Sequence, residues 1–249
     1  MQLDHNLYDL FQAHAGQVGV EILSLGLSYT AAVTSDGGVG VAYTWMDESG
    51  ACALAREAGI LEGRPARDIL PYILEDHPLK RSVALAVINA LNHSQAHLLP
   101  EDRDNQLLFD TMGIEPGTRV AMVGYFGPFI KVFEGRGAQL EIIDHHRGMG
   151  DTADFHLKLR EWADVLFLTS TSILNQSTEE FLSRTGKDVR TVMLGPSTPM
   201  VPEAFTHLPV NMLAGTVPLD RENVLRAVRN GAGTRFIHQY SRKVHAWVK

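Results

Sequence analysis

The chain has 249 residues, of which 45% are hydrophobic and 20% charged, a composition typical of a soluble globular protein with one large domain or two small ones. A formal net charge of −7 argues against a nucleic-acid-binding or membrane-surface protein, because both need clustered Lys and Arg. The apolar runs are too short to span a bilayer, no targeting signal is visible and Cys52 is the single cysteine, so we expect a cytoplasmic protein without an intrachain disulfide or a multi-cysteine metal cage.

The N-terminal part of the chain predicts one helix followed by a small antiparallel sheet. Leu3, Leu7, Leu10 and Phe11 recur at helical spacing and predict an amphipathic helix of about three turns. Three β-prone runs follow, VGVEILSLG, YTAAVTS and VGVAYTW, separated by turns of small residues. The clearest turn is Ser-Asp-Gly-Gly at residues 35–38.

Helices should complete this half of the chain. Pro65 and Pro78 are candidate helix starts, because the first helical position tolerates a missing N–H. Apolar residues at helical spacing follow each proline, and we predict that they form the buried faces of two helices. They are Ile69, Leu70, Ile73 and Leu74 after the first proline, and Val83, Leu85, Ala86, Ile88 and Leu91 after the second.

A polar, acidic stretch, QAHLLPEDRDNQ at residues 95–106, separates the two halves. We place a domain boundary here, with an N-terminal α+β domain over residues 1–104 and a second domain over residues 105–249. An ordered loop inside a single domain would have a similar composition, so that alternative stays open.

Residues 120–146 predict a strand, a turn, a helix and a second strand. Gly124 and Gly127 bracket the turn, and Pro128 suits the first helical position. Asp144 follows Gly124 by twenty residues, the separation at which an acid commonly meets a ribose hydroxyl in dinucleotide-binding units. Because Gly-Tyr-Phe-Gly is not the G-x-G-x-x-G fingerprint, the segment predicts a Rossmann-like fold rather than a conventional NAD site.

The rest of the chain repeats this alternation. We predict strands in ADVLFLTS, RTVMLGPS and PVNMLAG, helices near residues 153–162 and after Thr178, and a last helix from Asp220 to Gly231. Such alternation implies right-handed crossovers and a parallel sheet with helices on both faces. A group of late basic residues is interpreted as the solvated face of helices. These residues are Arg221, Arg226, Arg229, Arg235, Arg242 and Lys243.

Small and polar residues follow each predicted strand of this half, and α/β proteins bind ligands outside the carboxyl ends of parallel strands. Their hydroxyls, with the N–H groups of helix N-termini, suit a phosphate or carboxylate oxygen. Each cluster could be a simple cap or turn, but together they favour a ligand-binding edge. The clusters are Gly124 to Gly127, Asp144 with His145 and His146, Thr169 to Ser172 with Asn175, Gly195 to Thr198, and Gly215 with Thr216.

Asp144 and His146 also raise the question of a metal ion. On an extended strand alternate side chains share a face, so these two could share a ligand that His145 could not reach. A third protein ligand would have to come from elsewhere in the chain, and surface histidines are the alternative interpretation. The candidates for a third ligand are His93, His97 and Asp151.

The second half resembles the DUF364 family, whose description refers to heavy-metal chelation. The stretches that carry the resemblance, in the family's order, are VGYFGPFI, ADVLFLTSTSILNQSTEEFL, VMLGPSTPMVPEAF and VNMLAGTVPLDRENVLRAVRNG. Through GVGVAYT and VINALN, the first half looks like that family's usual partner, an enolase N-terminal-like domain of the DUF4213 type. The resemblance implies a Rossmann-like α/β domain joined to a smaller α+β domain, with the site in the cleft between them.

Carried over by position, the resemblance implies ligand contacts at several strand ends and a structural role for Asp164. Ser170 stands where the family favours glycine, Gln176 and Ser177 replace a glycine-containing step, and Asp144 stands where Glu is usual. A shorter acid followed by two histidines could change the ligand or improve metal coordination. The implied contacts are Gly124, Phe126, Pro128, Thr169, Asn175, Gly195, Pro196, Ser197 and Thr198.

Three functions remain open, because the sequence shows no nucleophile–base pair, no Walker loop, no G-x-S-x-G elbow and no H-E-x-x-H helix. The leading hypothesis is the binding of a small anionic or metal-chelating ligand, or a metal complex, in an interdomain cleft, with a role in heavy-metal handling. An enzyme that uses S-adenosylmethionine or NAD, with the ribose on Asp144, is the second. A non-catalytic regulatory or scaffold protein, forming a homo-oligomer through its N-terminal domain, is the third.

The leading hypothesis assigns ligand contacts along the whole predicted edge. The candidate ligand-binding residues are Gly124, Tyr125, Phe126, Pro128, Asp144, Thr169, Thr171, Ser172, Asn175, Gly195, Pro196, Ser197 and Thr198, and the candidate metal ligands are Asp144 and His146.

Overall fold

The computed structural model describes residues 1–46 and 60–248. These residues form a small antiparallel sheet in the N-terminal domain and a larger, mostly parallel sheet in the C-terminal domain, both flanked by helices. The predicted α/β class is therefore confirmed. Cys52, the single cysteine of the sequence, lies outside the described residues. Within the described ranges, no helix is long and apolar enough to cross a membrane.

The N-terminal domain contains the helix and the three-stranded sheet that the sequence predicts. Its strands pair antiparallel in chain order, and the apolar side chains of the helix pack against the domain core, although Leu10 is exposed. Gly37, with φ of +88°, completes the predicted turn between the second and third strands. The elements are α1 (Gln2–Ala15), β1 (Val20–Leu25), β2 (Tyr29–Thr34) and β3 (Val39–Tyr43).

The segment after Pro65 departs from the predicted α-helix. It forms two 3₁₀ turns, Ala66–Asp68 and Leu70–Leu74. Pro71 lies at the start of the second turn, and because proline has no N–H an α-helix cannot continue through this segment with its full set of hydrogen bonds. Ile73 is nevertheless buried, so the apolar face that the sequence predicts is used in a different conformation.

The helix α2 (Pro78–Leu91) starts at the predicted proline and is buried along most of its length. It lies directly on β3 at Gly40, where an added Cβ would stand 2.2 Å from the carbonyl oxygen of Ala86 and 2.2 Å from the nitrogen of Ala90. Only glycine allows the two backbones to approach so closely. The position of α2 on the small sheet is therefore set by a residue without a side chain.

The part of the chain after α2 begins with two short helices and then alternates strands and helices. Its elements are α3 (His93–Ala96), α4 (Gln106–Thr111), β4 (Arg119–Val123), α5 (Gly127–Gly135), β5 (Gln139–Ile143), α6 (Thr152–Glu161), β6 (Val165–Thr169), α7 (Thr178–Ser183), β7 (Arg190–Leu194), β8 (Met212–Pro218), α8 (Arg221–Arg229), α9 (Thr234–Gln239) and β9 (Ser241–Trp247).

The strands of this sheet follow the order β5-β4-β6-β7-β8-β9. Pairing is parallel from β5 to β8, and β9 is antiparallel to β8. The chain leaves β4 for β5 on one side and then crosses to β6 on the other, so the carboxyl ends of β4 and β6 flank the topological switch point. In open α/β sheets, this is where ligands bind.

Both faces of the sheet are covered. On one face, Phe109, Phe133 and Phe167 pack ring against ring between α4, α5 and β6. On the other face, residues of β6 such as Leu166 and Leu168 belong to a continuous apolar core that includes residues of α1 and α2. The larger sheet is therefore covered partly by its own helices and partly by the N-terminal domain.

The end of the chain corrects the sequence analysis, which stopped at the helix from Asp220 to Gly231. That helix is present as α8, but α9 and β9 follow it. Because β9 pairs along β8, Arg242 and Lys243 lie on a strand and not on the solvated face of a helix. The strand β9 was not predicted because apolar and polar residues do not alternate strictly in the run SRKVHAW. Its formation also depends on pairing with the edge of β8, which would otherwise be unpaired, and the sequence alone does not show this edge.

The guanidinium of Arg81, in α2, joins the two domains. Its Nη2 donates to Oδ1 of Asp4 in α1 at 2.7 Å and to the carbonyl oxygen of Ile173 at 2.6 Å. Its Nη1 donates to the carbonyl oxygen of Ile73 in the second 3₁₀ turn. Arg81 and Asp4 are 0% and 1% exposed. One buried cation therefore connects α1, the 3₁₀ turn and the segment that follows β6.

We expect Arg81→Leu to lower the free energy of unfolding by about 3–5 kcal/mol, because the buried carboxylate of Asp4 then loses its guanidinium partner. The double variant Asp4→Leu/Arg81→Leu should be more stable than the single variant, since no uncompensated buried charge remains. Urea denaturation followed by circular dichroism measures both. Arg67→Leu is the control, because the Arg67 side chain is 64% exposed. Equal stability of the Arg67 and Arg81 variants would contradict this account.

Candidate functional site

The turn after β4 has the predicted conformation, and Gly124 determines it. Its φ is +88°, and an added Cβ would lie 3.0 Å from the Cβ of Thr169, so both the backbone and the neighbouring strand favour glycine. Phe126 then occupies the N-cap of α5 and Pro128 lies in its first turn. The turn therefore ends one strand and begins a helix directly at the switch point.

A cavity of about 80 Å³, named here the switch-point cavity, lies beside Gly124. It is formed by the carboxyl ends of β4, β5 and β6 together with Trp45, which follows β3 of the N-terminal domain. The structure thus brings together one group of the predicted residues. The polar or small lining residues are Gly124, Asp144, His145, His146, Thr169, Thr171, Ser172, Asn175 and Ser177.

Asp144 lines this cavity and also caps the turn that follows β5. Its Oδ1 accepts a hydrogen bond from the backbone N–H of Arg147 at 3.1 Å, and Nε of Arg147 lies 4.0 Å from its other oxygen. The guanidinium of Arg147 in turn lies over the ring of Tyr125, 4.4 Å from the centroid, as in a cation–π interaction. A cation is therefore held beside the cavity, between a carboxylate and an aromatic ring.

The two histidines after Asp144 do not continue the strand. Residues His145–Arg147 form a 3₁₀ turn, so the predicted alternation of faces does not apply to them. Both His145 and His146 line the switch-point cavity, and the ring of His146 packs on Trp45 with a centroid distance of 4.7 Å. The expectation that His145 could not join Asp144 and His146 is thus corrected: β5 ends at Ile143 and the chain turns.

Some of the hydroxyl groups after β6 line the cavity, and others form hydrogen bonds that stabilise the fold. The Oγ1 atoms of Thr169 and Thr171 lie 2.9 Å apart, and both residues line the cavity. Ser172 shares a buried hydrogen bond of 2.8 Å with Thr178, at the start of α7. Asn175 accepts the hydroxyl of Ser177 at 2.7 Å. The hydroxyls of Thr169 and Thr171 are therefore the main hydroxyl groups available to a ligand in the cavity.

Gln176 explains one departure from the family pattern. It has φ of +59°, a left-handed conformation that glycine adopts most easily and that other residues rarely adopt. The family resemblance implies a glycine-containing step at this point, and this chain makes the turn with glutamine. Asp164, expected to be structural, accepts hydrogen bonds from the side chain and backbone N–H of Arg119, which lower the pKa of its carboxyl group.

The described residues contain no group of three His, Cys, Asp or Glu side chains that could hold a metal ion. The three candidates for a third ligand lie elsewhere: His93 and His97 pack on each other with a centroid distance of 4.4 Å, and Asp151 caps α6 by accepting the N–H of Asp154. None of the three lines the switch-point cavity. Asp144 and His146 thus remain a pair of potential ligands without a third side chain from these residues.

A second cavity of about 470 Å³, named here the large cavity, shares no lining residue with the first. It is bordered by the start of α5, the ends of β7 and β8, α9 and β9. The other group of predicted residues lies here instead of at the switch point. These residues are Tyr125, Phe126, Pro128, Gly195 and Pro196.

Ser197 and Thr198 line neither of these two cavities. Oγ of Ser197 accepts the backbone N–H of Tyr43 in β3 at 2.7 Å, and its carbonyl accepts Nδ2 of Asn89 in α2 at 3.3 Å. Thr198 is buried beside a space of about 10 Å³, which is at most large enough for a single water. The loop after β7 therefore joins the domains, and the single polar edge expected from the sequence is divided among two cavities and this joint.

Four basic residues of the large cavity were not predicted as site residues, because they lie on α9 and β9; they are Arg235, His238, Lys243 and His245. Burial lowers the pKa of His238 to about 4, with the charge of Lys243 acting in the same direction. Burial also lowers the pKa of Lys243 and of His245, although the carboxylate of Asp102 opposes both shifts. Lys243 and His245 belong to the basic run RKVH at residues 242–245, and the interpretation of Lys243 as part of a helix face hid their position on a strand. His238 lies outside this run.

The depressed pKa of His238 predicts an acid-sensitive fold. A histidine whose folded-state pKa lies below its usual 6.5 contributes stability that is present above pH 6.5 and is lost as the pH falls toward 4. His238→Gln should therefore flatten the decline of unfolding free energy over this range by on the order of 2–3 kcal/mol. Urea titrations at a series of pH values measure the effect. His5→Gln, an exposed position, should leave the decline unchanged.

Comparison with known families identifies both halves of the chain. Residues 107–247 match the DUF364 model and residues 8–92 match the DUF4213 model, and both families carry the description "putative heavy-metal chelation". The resemblance seen in the sequence is thus confirmed. No curated protein matches the chain.

Two solved structures share this fold along the chain. A DUF364-family protein of unknown function from Pyrococcus horikoshii superposes with a TM-score of 0.82 at 19% identity, covering 100% of both chains. A second, from Desulfitobacterium hafniense DCB-2, has a TM-score of 0.76 at 20% identity and covers 98% of each chain. Since the DUF364 model alone spans more than half of the residues, the chain belongs to the DUF364 family.

Proposed function

We propose that this protein binds a small anionic or metal-chelating molecule in the switch-point cavity, and that it handles heavy metal as a complex with that molecule. The observation that carries the proposal is the arrangement around Gly124, where the hydroxyls of Thr169 and Thr171 and the carboxylate of Asp144 line one cavity under Trp45. Hydroxyl donors suit anionic oxygens, and the position is the one at which open α/β sheets bind ligands.

The size of the cavity supports a small ligand. At about 80 Å³ it is well below the roughly 300–1,000 Å³ of sites that enclose whole drug-sized molecules. It has room for a carboxylate or a similar polar head. The remainder of a ligand would lie outside, against the paired rings of Trp45 and His146 and near the guanidinium of Arg147. An aromatic surface and a cation at this place favour a planar or anionic chelator.

The side chains favour a metal complex over a bare ion. Two protein ligands such as Asp144 and His146 leave most coordination positions of a metal unfilled, and the described residues supply no cluster of three. A chelator brings its own ligands, so the protein needs to supply only one or two contacts and a complementary surface. The family description of heavy-metal chelation is consistent with this role.

A nucleotide-type cofactor, NAD or S-adenosylmethionine, is the second candidate. The observation that favours it is that Gly124 and Asp144, twenty residues apart in sequence, line the same cavity at the switch point. The cavity is too small for an adenine nucleoside, which needs several hundred cubic ångströms. Repeating the wild-type titrations with citrate and catechol in the presence of NAD or S-adenosylmethionine tests this candidate, because a cofactor that binds at the same place should compete with the chelator.

Gly124→Ala should weaken ligand binding by about tenfold or more, because the added Cβ lies 3.0 Å from Thr169 and fills the cavity wall. Calorimetric titration with citrate and with catechol, each alone and as its ferric complex, measures the effect. The matched control is Gly117→Ala: Gly117 has the same φ of +88°, but no atom lies within 4 Å of its added Cβ. Equal losses in the two variants, or no binding to the wild type, would remove the proposal.

Asp144→Asn should separate a metal complex from a free anion. Asparagine can still cap the turn after β5, but it removes the negative charge. If Asp144 contacts the metal, binding of the ferric complexes should fall by about tenfold while binding of the metal-free chelators stays equal or becomes stronger. The same calorimetric titrations provide the measurement. A parallel loss for metal-free and metal-bound forms would contradict direct contact with the metal.

A further inference from the structure

The large cavity has the size and walls of a ligand site of its own. Its volume of about 470 Å³ falls within the range of roughly 300–1,000 Å³ that small-molecule sites occupy. Much of its wall is apolar, with Leu108, Phe126, Phe129 and Leu194 among the lining residues. Because it shares no lining residue with the switch-point cavity, it can be occupied independently of that site.

Lys243 introduces a positive charge into this apolar space. It lies on β9 opposite Thr216 and is only partly exposed. Within residues 1–46 and 60–248, no carboxylate oxygen lies within the 4.0 Å that would define an ion pair with it. The carboxylate of Asp102, which also lines the cavity, is already used as an acceptor for the backbone N–H groups of Leu107 and Leu108 at the start of α4.

Lys243 is partly buried, so its ammonium group is not fully solvated, and this burial lowers its pKa. A partly desolvated ammonium without an ion-pair partner is stabilised by an anion that enters the cavity. His238, the neighbouring lining residue, stays neutral at pH 7 because burial lowers its pKa to about 4. The cations among the lining residues are therefore Lys243, which is partly buried, and Arg235, which is exposed.

His245 adds a buried polar side chain to the same wall. The residue is 4% exposed and lines the cavity, and its Nδ1 has no hydrogen-bond partner among the described residues. Because this nitrogen is itself buried, a ligand in the cavity does not contact it. The first turn of α5, at Gly127 and Pro128, also borders the cavity, and the positive end of a helix dipole favours an anion there.

We propose that the large cavity binds a small organic acid with an apolar aromatic or branched body, whose carboxylate pairs with Lys243 on β9. The apolar walls hold the body of the ligand. A single negative charge is favoured over a phosphate dianion, because the carboxylate of Asp102 lies in the same wall as Lys243. This assignment does not depend on the function proposed for the switch-point cavity.

Calorimetric titration of the full chain with 2-naphthoate, its neutral analogue 2-naphthamide and inorganic phosphate tests the proposal. We expect the wild type to bind 2-naphthoate at least about tenfold more tightly than either of the other two. Lys243→Met should remove this preference and leave the binding of 2-naphthamide unchanged, whereas Lys243→Arg should largely restore it. Lys131→Met, at an exposed position on α5, is the charge-matched control and should behave as the wild type.

One further variant separates the sites. Asp144→Asn, which changes a residue of the switch-point cavity without straining the backbone, should leave 2-naphthoate binding intact, so that a failure at one cavity is distinguishable from a failure at the other. Thermal melting confirms that each variant is folded. Equal affinity for 2-naphthoate and 2-naphthamide, an unchanged preference in Lys243→Met, or no binding of 2-naphthoate would overturn the proposal.

Discussion

The buried guanidinium of Arg81 is the interaction on which the arrangement of the two domains depends. A buried cation must have its hydrogen bonds satisfied, and Arg81 finds its partners in Asp4, Ile73 and Ile173, on three separate parts of the chain. Ile173 ends the turn that carries Thr169 and Thr171 at the switch point. The position of the candidate site is therefore coupled to the packing of α1 and α2, and the N-terminal domain is part of the framework of the site.

A single turn separates two chemically different spaces. Gly124 borders the switch-point cavity, whereas the next residues, from Tyr125 to Phe129, border the large cavity. The first space is small and lined by hydroxyls, a carboxylate and two histidines. The second is larger and mostly apolar, with cationic and imidazole groups contributed by α9 and β9. One edge of a parallel sheet thus offers two ligand environments. The backbone bends between the end of β4 and the start of α5, so residues on the two sides of the bend border different cavities.

Much of the fold follows from local patterns, and the exceptions have physical causes. The strands β1 to β8 and the helix α8 were predictable, since buried parallel strands are short apolar runs and helix ends carry caps and glycines. Proline at position 71 replaced an expected helix by 3₁₀ turns. The strand β9 was not predicted, because its pairing depends on the exposed edge of β8. The same reason explains why Lys243 and His245 were not recognised as cavity residues.

By itself, the sequence determined the fold class and the residues at each strand end, because periodicity, capping and turn chemistry are local properties of the chain. It indicated the family separately, through the stretches that resemble DUF364. It placed Gly124, Asp144, Thr169 and Asn175 near one another through the rule that parallel strands end at one edge. Only the tertiary structure decided which of these polar residues share a cavity. Strand order, the closure of the switch point by Trp45 and the use of Ser197 as an interdomain acceptor all depend on contacts between segments distant in sequence.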